Sequence, residues 1–269
     1  MTTNSNPLIE IRDLSKIYRT RTGEEIQAIG NIACDVREGE FITIVGPSGC
    51  GKSTLLKIIA GLLPRTGGSI RIRGSEVRGP TRQIGMIFQN PVLLPWKTVF
   101  ENVMLPIHVL HLSPEDYVDR ARDLIRLVGL QGFENSYPFE LSGGMAQRNA
   151  IVRALVHDPE ILLADEPFGA LDAMTREQMN TEIQRIWMES RKTVLFVTHS
   201  IPEAIFLADT VVVLSHRPSL VVDLVHVDFP RPRSLEIMGT NRFGDYSRRV
   251  RSHFVTTPEE AHRPSDASL

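Results

Sequence analysis

Gly46-Pro47-Ser48-Gly49-Cys50-Gly51-Lys52-Ser53-Thr54 sets one glycine at 46 and another at 51, then follows at once with a lysine and a hydroxyl residue. The β-branched run before it, Phe41-Ile42-Thr43-Ile44-Val45, predicts a buried strand, and Leu55-Leu56-Lys57-Ile58-Ile59-Ala60 after it predicts a helix. A loop between strand and helix can wrap a phosphate with its own backbone N–H groups, provided glycines remove the Cβ atoms that would block the approach. The helix adds the positive end of its dipole. In such a cradle Lys52 reaches the β and γ phosphates as a mobile charge, and Ser53 is placed to ligate Mg²⁺. The motif predicts nucleoside triphosphate binding.

Working outward, Leu8 to Leu14 alternates apolar and polar residues like an antiparallel strand, and Ile26 to Val36 predicts a strand pair broken near Gly30-Asn31. Between them Tyr18 stands in a polar setting, either as core packing or as a platform for a base. Gly68 to Gly74 alternates again. Ile84 to Phe88 predicts a buried strand that ends at Gln89, an uncharged amide able to face the nucleotide. Pro91, Pro95 and Trp96 mark an irregular loop. Residues 98 to 140 then take helical spacing, with Val118, Ala121, Leu124, Ile125 and Val128 on one face, and predict an inserted helical lobe.

Ser142-Gly143-Gly144 opens a helix running to about Val156, so Ser142 is either a simple N-cap or part of a second anion site. Ile161 to Ala164 is an apolar strand delivering Asp165 and Glu166 to its C-terminal end, the edge at which parallel sheets bind ligands. Neighbours on a strand point opposite ways, which predicts separate tasks, one carboxylate on the Mg²⁺ shell and the other on attacking water. After a turn through Asp172 come a helix over Arg176 to Ser190 and a buried strand, Thr193 to Thr198, ending in His199, a candidate γ-phosphate sensor. Strand and helix alternating from 41 to 215 predict an α/β fold with a largely parallel sheet, an N-terminal antiparallel β layer and the helical insertion.

Composition narrows the function classes. The 269 residues are 42% hydrophobic with a formal charge of -2, which predicts a globular chain without the basic footprint of a nucleic-acid binder. The first residues carry neither a basic region nor an apolar stretch, so no secretory signal is read and the chain is expected to stay in the cytoplasm. No stretch reads as membrane-spanning. Cys34 and Cys50 are expected as free thiols, Cys50 as a small residue fitting a tight loop, where bulky alkylation would block nucleotide. Arginines 231, 233, 242, 248, 249 and 251 are expected to form a solvated basic face. The tail from Thr256 reads as disordered.

Taken together, the phosphate loop, Gln89, Leu141 to Gln147, Asp165-Glu166, Asp172 and His199 resemble the nucleotide-binding subunit of ATP-binding cassette (ABC) transporters over residues 8 to 228. The resemblance implies a P-loop NTPase core with a helical subdomain at about 90–158, followed by a C-terminal extension at 229–269. It implies that Tyr18 stacks on adenine, that Gln89 joins Ser53 and Asp165 near Mg²⁺, and that Glu166 is the general base with His199 on the γ-phosphate. Ser142, Gly143 and Gly144 would close over the γ-phosphate of a partner subunit, with Asp172 crossing the dimer interface. Met145 and Ala164 depart from the usual pattern at positions that supply no reacting atoms.

Asn90-Pro91 with Leu94-Pro95-Trp96, Pro167-Phe168-Gly169-Ala170-Leu171-Asp172 and Pro230-Arg231-Pro232-Arg233 look most like the ATPases of nitrate, sulfonate and taurine importers, a subgroup that includes carriers of thiamine precursors. The implied partners are a permease, a solute-binding protein and a second copy of the chain, on the cytoplasmic face of the membrane and without nucleic acid. The rival expectations are a cassette ATPase acting on DNA or ribosomes, which would need coiled coils or basic arms, and a subunit that binds ATP without turnover, which would lack Glu166 or His199. The sequence carries no such arms and keeps both residues.

Overall fold

The computed structural model describes residues 7–169 and 171–254. Ile9–Arg19 (β1) and Glu25–Val36 (β2) precede Phe41–Val45 (β3). Lys52–Ile59 (α1), Gly67–Ile72 (β4), Ser75–Glu76 (β5) and Ile84–Ile87 (β6) follow. The antiparallel order β2-β1-β4-β5 makes the expected N-terminal β layer. β2 is continuous through Gly30-Asn31, yet its pairing slips there as expected, Leu14 facing Ile32 and Lys16 facing Ile29. A second irregularity lies in β1, where Asp13 takes φ 47 and the register shifts between Ile11 and Leu14. A side chain at Gly30 would crowd its neighbour, since Leu220 Cδ2 lies 2.6 Å from where a Cβ would stand.

The helical insertion contributes Val99–Val109 (α2), Val118–Leu127 (α3) and Gly143–Leu155 (α4). Helical spacing was expected through 140, yet the chain leaves α3 after Leu127, and Gly129 and Gly132 both hold positive φ. Beyond it come Ile161–Asp165 (β7), Ala173–Ser190 (α5), Thr193–Val197 (β8), Ile201–Leu207 (α6), Thr210–Leu214 (β9), Val221–His226 (β10) and Asn241–Ser252 (α7). Among the described residues no helix is long and apolar enough to cross a membrane.

Six strands form the central sheet in the order β10-β9-β3-β8-β7-β6, parallel throughout except where β10 meets β9. Its inner strands are apolar on both sides because both faces are covered. Ile42 and Ile44 join α1 and the antiparallel layer in one core. Phe41 and Val45 point the other way, into a second core with α5, α6 and the helical insertion. The register decides where function can sit. Asp165 is level with Val197, which is level with Ile44, so the chain leaving β3, β7 and β8 emerges along one edge.

The loop between β6 and α2 is irregular but firmly tied. Asn102, wholly buried, accepts from Leu94 N at 2.8 Å and donates to the carbonyls of Leu94, Lys97 and Thr98. Arg153 of α4 donates to Pro91 O and Val92 O. Trp96, at the tip, remains 70% exposed.

The expected solvated basic face is only partly found. Arg242 pairs with Asp228 and Arg249 with Asp223, but Arg231 and Arg233 turn inward, because the end of α6 leaves carbonyls that only a long cationic donor can reach from the surface segment. The tail from Thr256 lies outside the described residues.

Candidate functional site

Gly51 is the N-cap of α1 at φ 116, a conformation a side chain would strain, and α1 starts without any side-chain cap. At Gly46 the limit is space, for a Cβ would meet Cys50 Sγ at 2.9 Å and Leu214 at 3.1 Å. The loop therefore curls tightly from β3 into the helix. Lys52, 5% exposed, donates from Nζ to Gly46 O at 3.0 Å and Pro47 O at 3.1 Å, so its charge is held against the loop's first turn. Ser53 Oγ donates to Asp165 Oδ1 at 2.7 Å, coupling the loop to the end of β7. Burial pushes the Asp165 carboxyl above its ordinary range, and the Ser53 hydroxyl opposes that shift.

The two adjacent carboxylates are separated by a route the alternation of a strand does not describe. β7 ends at Asp165, and Glu166 leaves it with φ 45, in the left-handed region. Its N–H donates to Val197 O at 3.0 Å while its carbonyl accepts from Gly169 N at 3.1 Å, so both sides of the turn are fixed. This kink carries the carboxylate to 3.9 Å from Lys52 Nζ and to 3.0 Å from His199 Nδ1. Gln89 closes the same group, its Nε2 standing 3.4 Å from the Cβ position of Gly169. Lys52, Ser53, Asp165, Glu166, His199 and Gln89 thus converge on one sheet edge.

Ser142, Gly143, Gly144 and Asp172 make a second group. Ser142 caps α4 by accepting from Met145 N at 3.3 Å, and Asp172 caps α5 by accepting from Thr175 N at 3.0 Å and Thr175 Oγ1 at 2.6 Å. Those bonds hold the exposed Asp172 carboxyl below its ordinary range. Gly144 packs on Thr175, with 3.3 Å from its Cβ position to Cγ2, and Gly143 lies near Leu171.

Tyr18 is 37% exposed near the end of β1. Its hydroxyl lies 3.3 Å from Thr54 Oγ1, and Lys16 Nζ sits 5.0 Å from the ring centre. Cys50 is buried and its thiol is pushed up in pKa by that burial, as a packing residue rather than a reactive one. Cys34 is pushed up to about 11, also by burial.

Reasoning from sequence missed the support behind His199. Thr198 Oγ1 donates to the buried carboxylate of Glu203 and accepts from Ser200 N at 2.9 Å, while Ser200 Oγ accepts from Glu203 N. The signal was available, since Ser200 followed three residues later by Glu203 is a capping-box spacing.

The ABC transporter family pattern matches residues 29–169. The aliphatic sulfonates import ATP-binding protein of Bacillus cereus is 45% identical over 84% of this chain and 88% of its own. The taurine import ATP-binding protein of Rhizobium johnstonii is also 45% identical, over 83% of this chain and 86% of its own. Among solved structures, a dimeric ATP-binding cassette in a post-hydrolysis state, bound to ADP and Pi, superposes with a TM-score of 0.72 at 34% identity. It covers 82% of this chain and 100% of that one.

Proposed function

The chain belongs to the ABC transporter family of ATP-binding proteins, and from that premise we propose that it powers uptake of a small sulfonate-type anion through a separate permease, served by a solute-binding protein. The convergence of Lys52, the Ser53–Asp165 pair and the Glu166–His199 pair on one sheet edge supports the ATP hydrolysis that powers it. Relatives named for aliphatic sulfonates and for taurine match equally well, and a sulfonate group is what those cargoes share. A permease partner also gives the chain its place on the cytoplasmic face of the membrane.

In the proposed reaction the loop amides and Lys52 hold the phosphates, while Tyr18 supplies the base platform. Ser53 and Asp165 present a hydroxyl and a carboxylate oxygen 2.7 Å apart, a hard donor set that suits Mg²⁺ shared with nucleotide phosphates. Mg²⁺ would neutralise charge developing on the phosphoryl oxygens. Glu166 accepts the proton of the attacking water. His199, held by Glu166 through Nδ1, keeps its other ring nitrogen for the γ-phosphate, and Gln89 orients the water. Ser142, Gly143, Gly144 and Asp172 complete the site of a partner subunit.

Tyr18→Ala is expected to weaken ATP and GTP binding alike, by roughly 1 to 3 kcal/mol, as loss of a stacking face does. Titration of a fluorescent nucleotide checks this. Unchanged affinity with a lower Tm would make Tyr18 a packing residue.

The coupling to transport is tested at Trp96, whose exposed ring projects from a loop that Asn102 and Arg153 hold rigid. An exposed aromatic on a braced loop suits a docking surface. Trp96→Asp should leave ATP hydrolysis by the isolated subunit within about twofold while abolishing copurification of the permease from membranes. Undiminished assembly would move the docking surface elsewhere.

A further inference from the structure

In the segment after β10, two arginines are spent on one short helix. Arg233, 3% exposed, donates from Nη1 to Ile205 O at 3.1 Å, Phe206 O at 2.9 Å and Ala208 O at 2.8 Å. Arg231 takes the remaining carbonyl of the series, Leu207 O, and also Asp209 at 2.8 Å, with its guanidinium 4.2 Å from the Trp187 ring centre. The backbone of Arg233 exchanges both hydrogen bonds with the Gln184 amide of α5, at 2.8 and 2.9 Å. Every carbonyl that α6 leaves open at its C-terminal end is thus held from the extension.

The carboxylate paired with Arg233, that of Asp209, stands 4.0 Å away and is shared with Arg231. A cation buried this way is a poor source of stability, because desolvation offsets much of what its bonds return. Its bonds are directional, however, and direction is what α6 lacks. Seven residues make less than two and a half turns, too short to hold a conformation or an axis alone. At the other end of that rod stands the site. Ser200 caps α6 directly after His199, Thr198 and Glu203 brace the same turn, and Thr43 of β3 donates to Ala204 O in its middle. α7 runs alongside with Phe243 and Val250 in the same core as Ala204 to Ala208, and Phe254 after it lines a cleft with Ile201, His199 and Pro47.

We infer that Arg233 is a positioning residue for His199: by fixing the C-terminal end of α6 it sets where the N-terminal end holds the imidazole against Glu166. This rests on the proposed role of His199 at the γ-phosphate. The extension is then part of the catalytic frame, reaching the site through the helix.

The test uses the full chain carrying Arg233→Met, Arg233→Lys, His199→Ala, or Arg233→Met with His199→Ala, measured for ATP affinity, single-turnover rate and Tm. Arg233→Met should lower turnover about tenfold with ATP affinity within about twofold, the pattern of a misplaced reacting group. Arg233→Lys should recover little of it, about threefold at most, since one ammonium cannot span three carbonyls as the guanidinium does. In the His199→Ala background, Arg233→Met should remove nothing further from the residual rate. Normal turnover per folded molecule, or losses that multiply in the double variant, would overturn the inference. If Arg233→Met is recovered unfolded, Arg233→Lys carries the test, and a wild-type rate there overturns it equally. The two levels separate cleanly: His199→Ala with wild-type turnover sinks the role of His199 and the inference with it, whereas an inert His199→Ala beside a fully active Arg233→Met sinks the inference alone.

Discussion

Glu166→Gln is expected to bind ATP as the wild type does and to hydrolyse it at least about 10²-fold more slowly. The amide preserves the shape of the side chain and its ability to accept from His199, and a Gln adopts the left-handed backbone at 166 at much the same cost as a Glu. What it loses is the lone pair basic enough to take a proton from water. The charge 3.9 Å from Lys52 goes as well, but that part of the change favours nucleotide, because the ammonium is then attracted only by phosphate. Affinity should therefore hold or rise while turnover collapses, a split that a merely misfolded variant cannot show. Nucleotide titration beside a single-turnover assay reads both quantities. Near-normal hydrolysis would assign the proton to another acceptor and leave Glu166 as a partner that orients His199.

Much of this site could be read from the sequence because parallel strands put their ends on one edge. The runs 41–45, 161–164 and 193–197 are buried on both faces, and each leads into residues of the candidate site, Gly46, Asp165-Glu166 and His199. The relation of Asp165 to Glu166 was harder, because period-2 alternation holds only inside a strand and the strand ends between them. A positive φ at a glutamate leaves no mark in composition. Arg231 and Arg233 were read as surface for a sound statistical reason, since arginine is seldom buried. Their burial depends on where α6 happens to end, a tertiary fact invisible in the local stretch. Asn102 is similar, as a lone amide on an apolar helix face reveals nothing of the loop carbonyls it will gather.

Lys52→Ala and Ser142→Arg proteins, each inactive alone, are expected to recover hydrolysis when mixed. Within one chain the group proposed to hold the phosphates gathers around Lys52 and Asp165, whereas Ser142 and Gly144 lie with Thr175 at the start of α5. A head-to-tail dimer gives the second group a nucleotide to close on, and each active site then draws on both chains. In a heterodimer of the two variants, one site inherits both lesions and the other pairs an intact phosphate loop with an intact Ser142 turn. Statistical assortment makes roughly half of the dimers mixed, with one good site in two, so the single-turnover burst should return to about a quarter of the wild-type value per chain. Losing the Ser142 cap costs α4 about 1 kcal/mol, so a Tm for each variant must show that both still fold. If the site were complete within one chain, mixing would restore nothing, because every chain would carry its own lesion. Obligate coupling between two sites could imitate that outcome, but it makes a different demand on the parent variants and on their dimer with wild type. A wild-type chain paired with a Lys52→Ala, Ser142→Arg double variant has one lesion in each shared site and should be inert, yet it should keep one whole site if sites are not shared. Activity in that dimer together with none in the mixture would assign the site to a single chain.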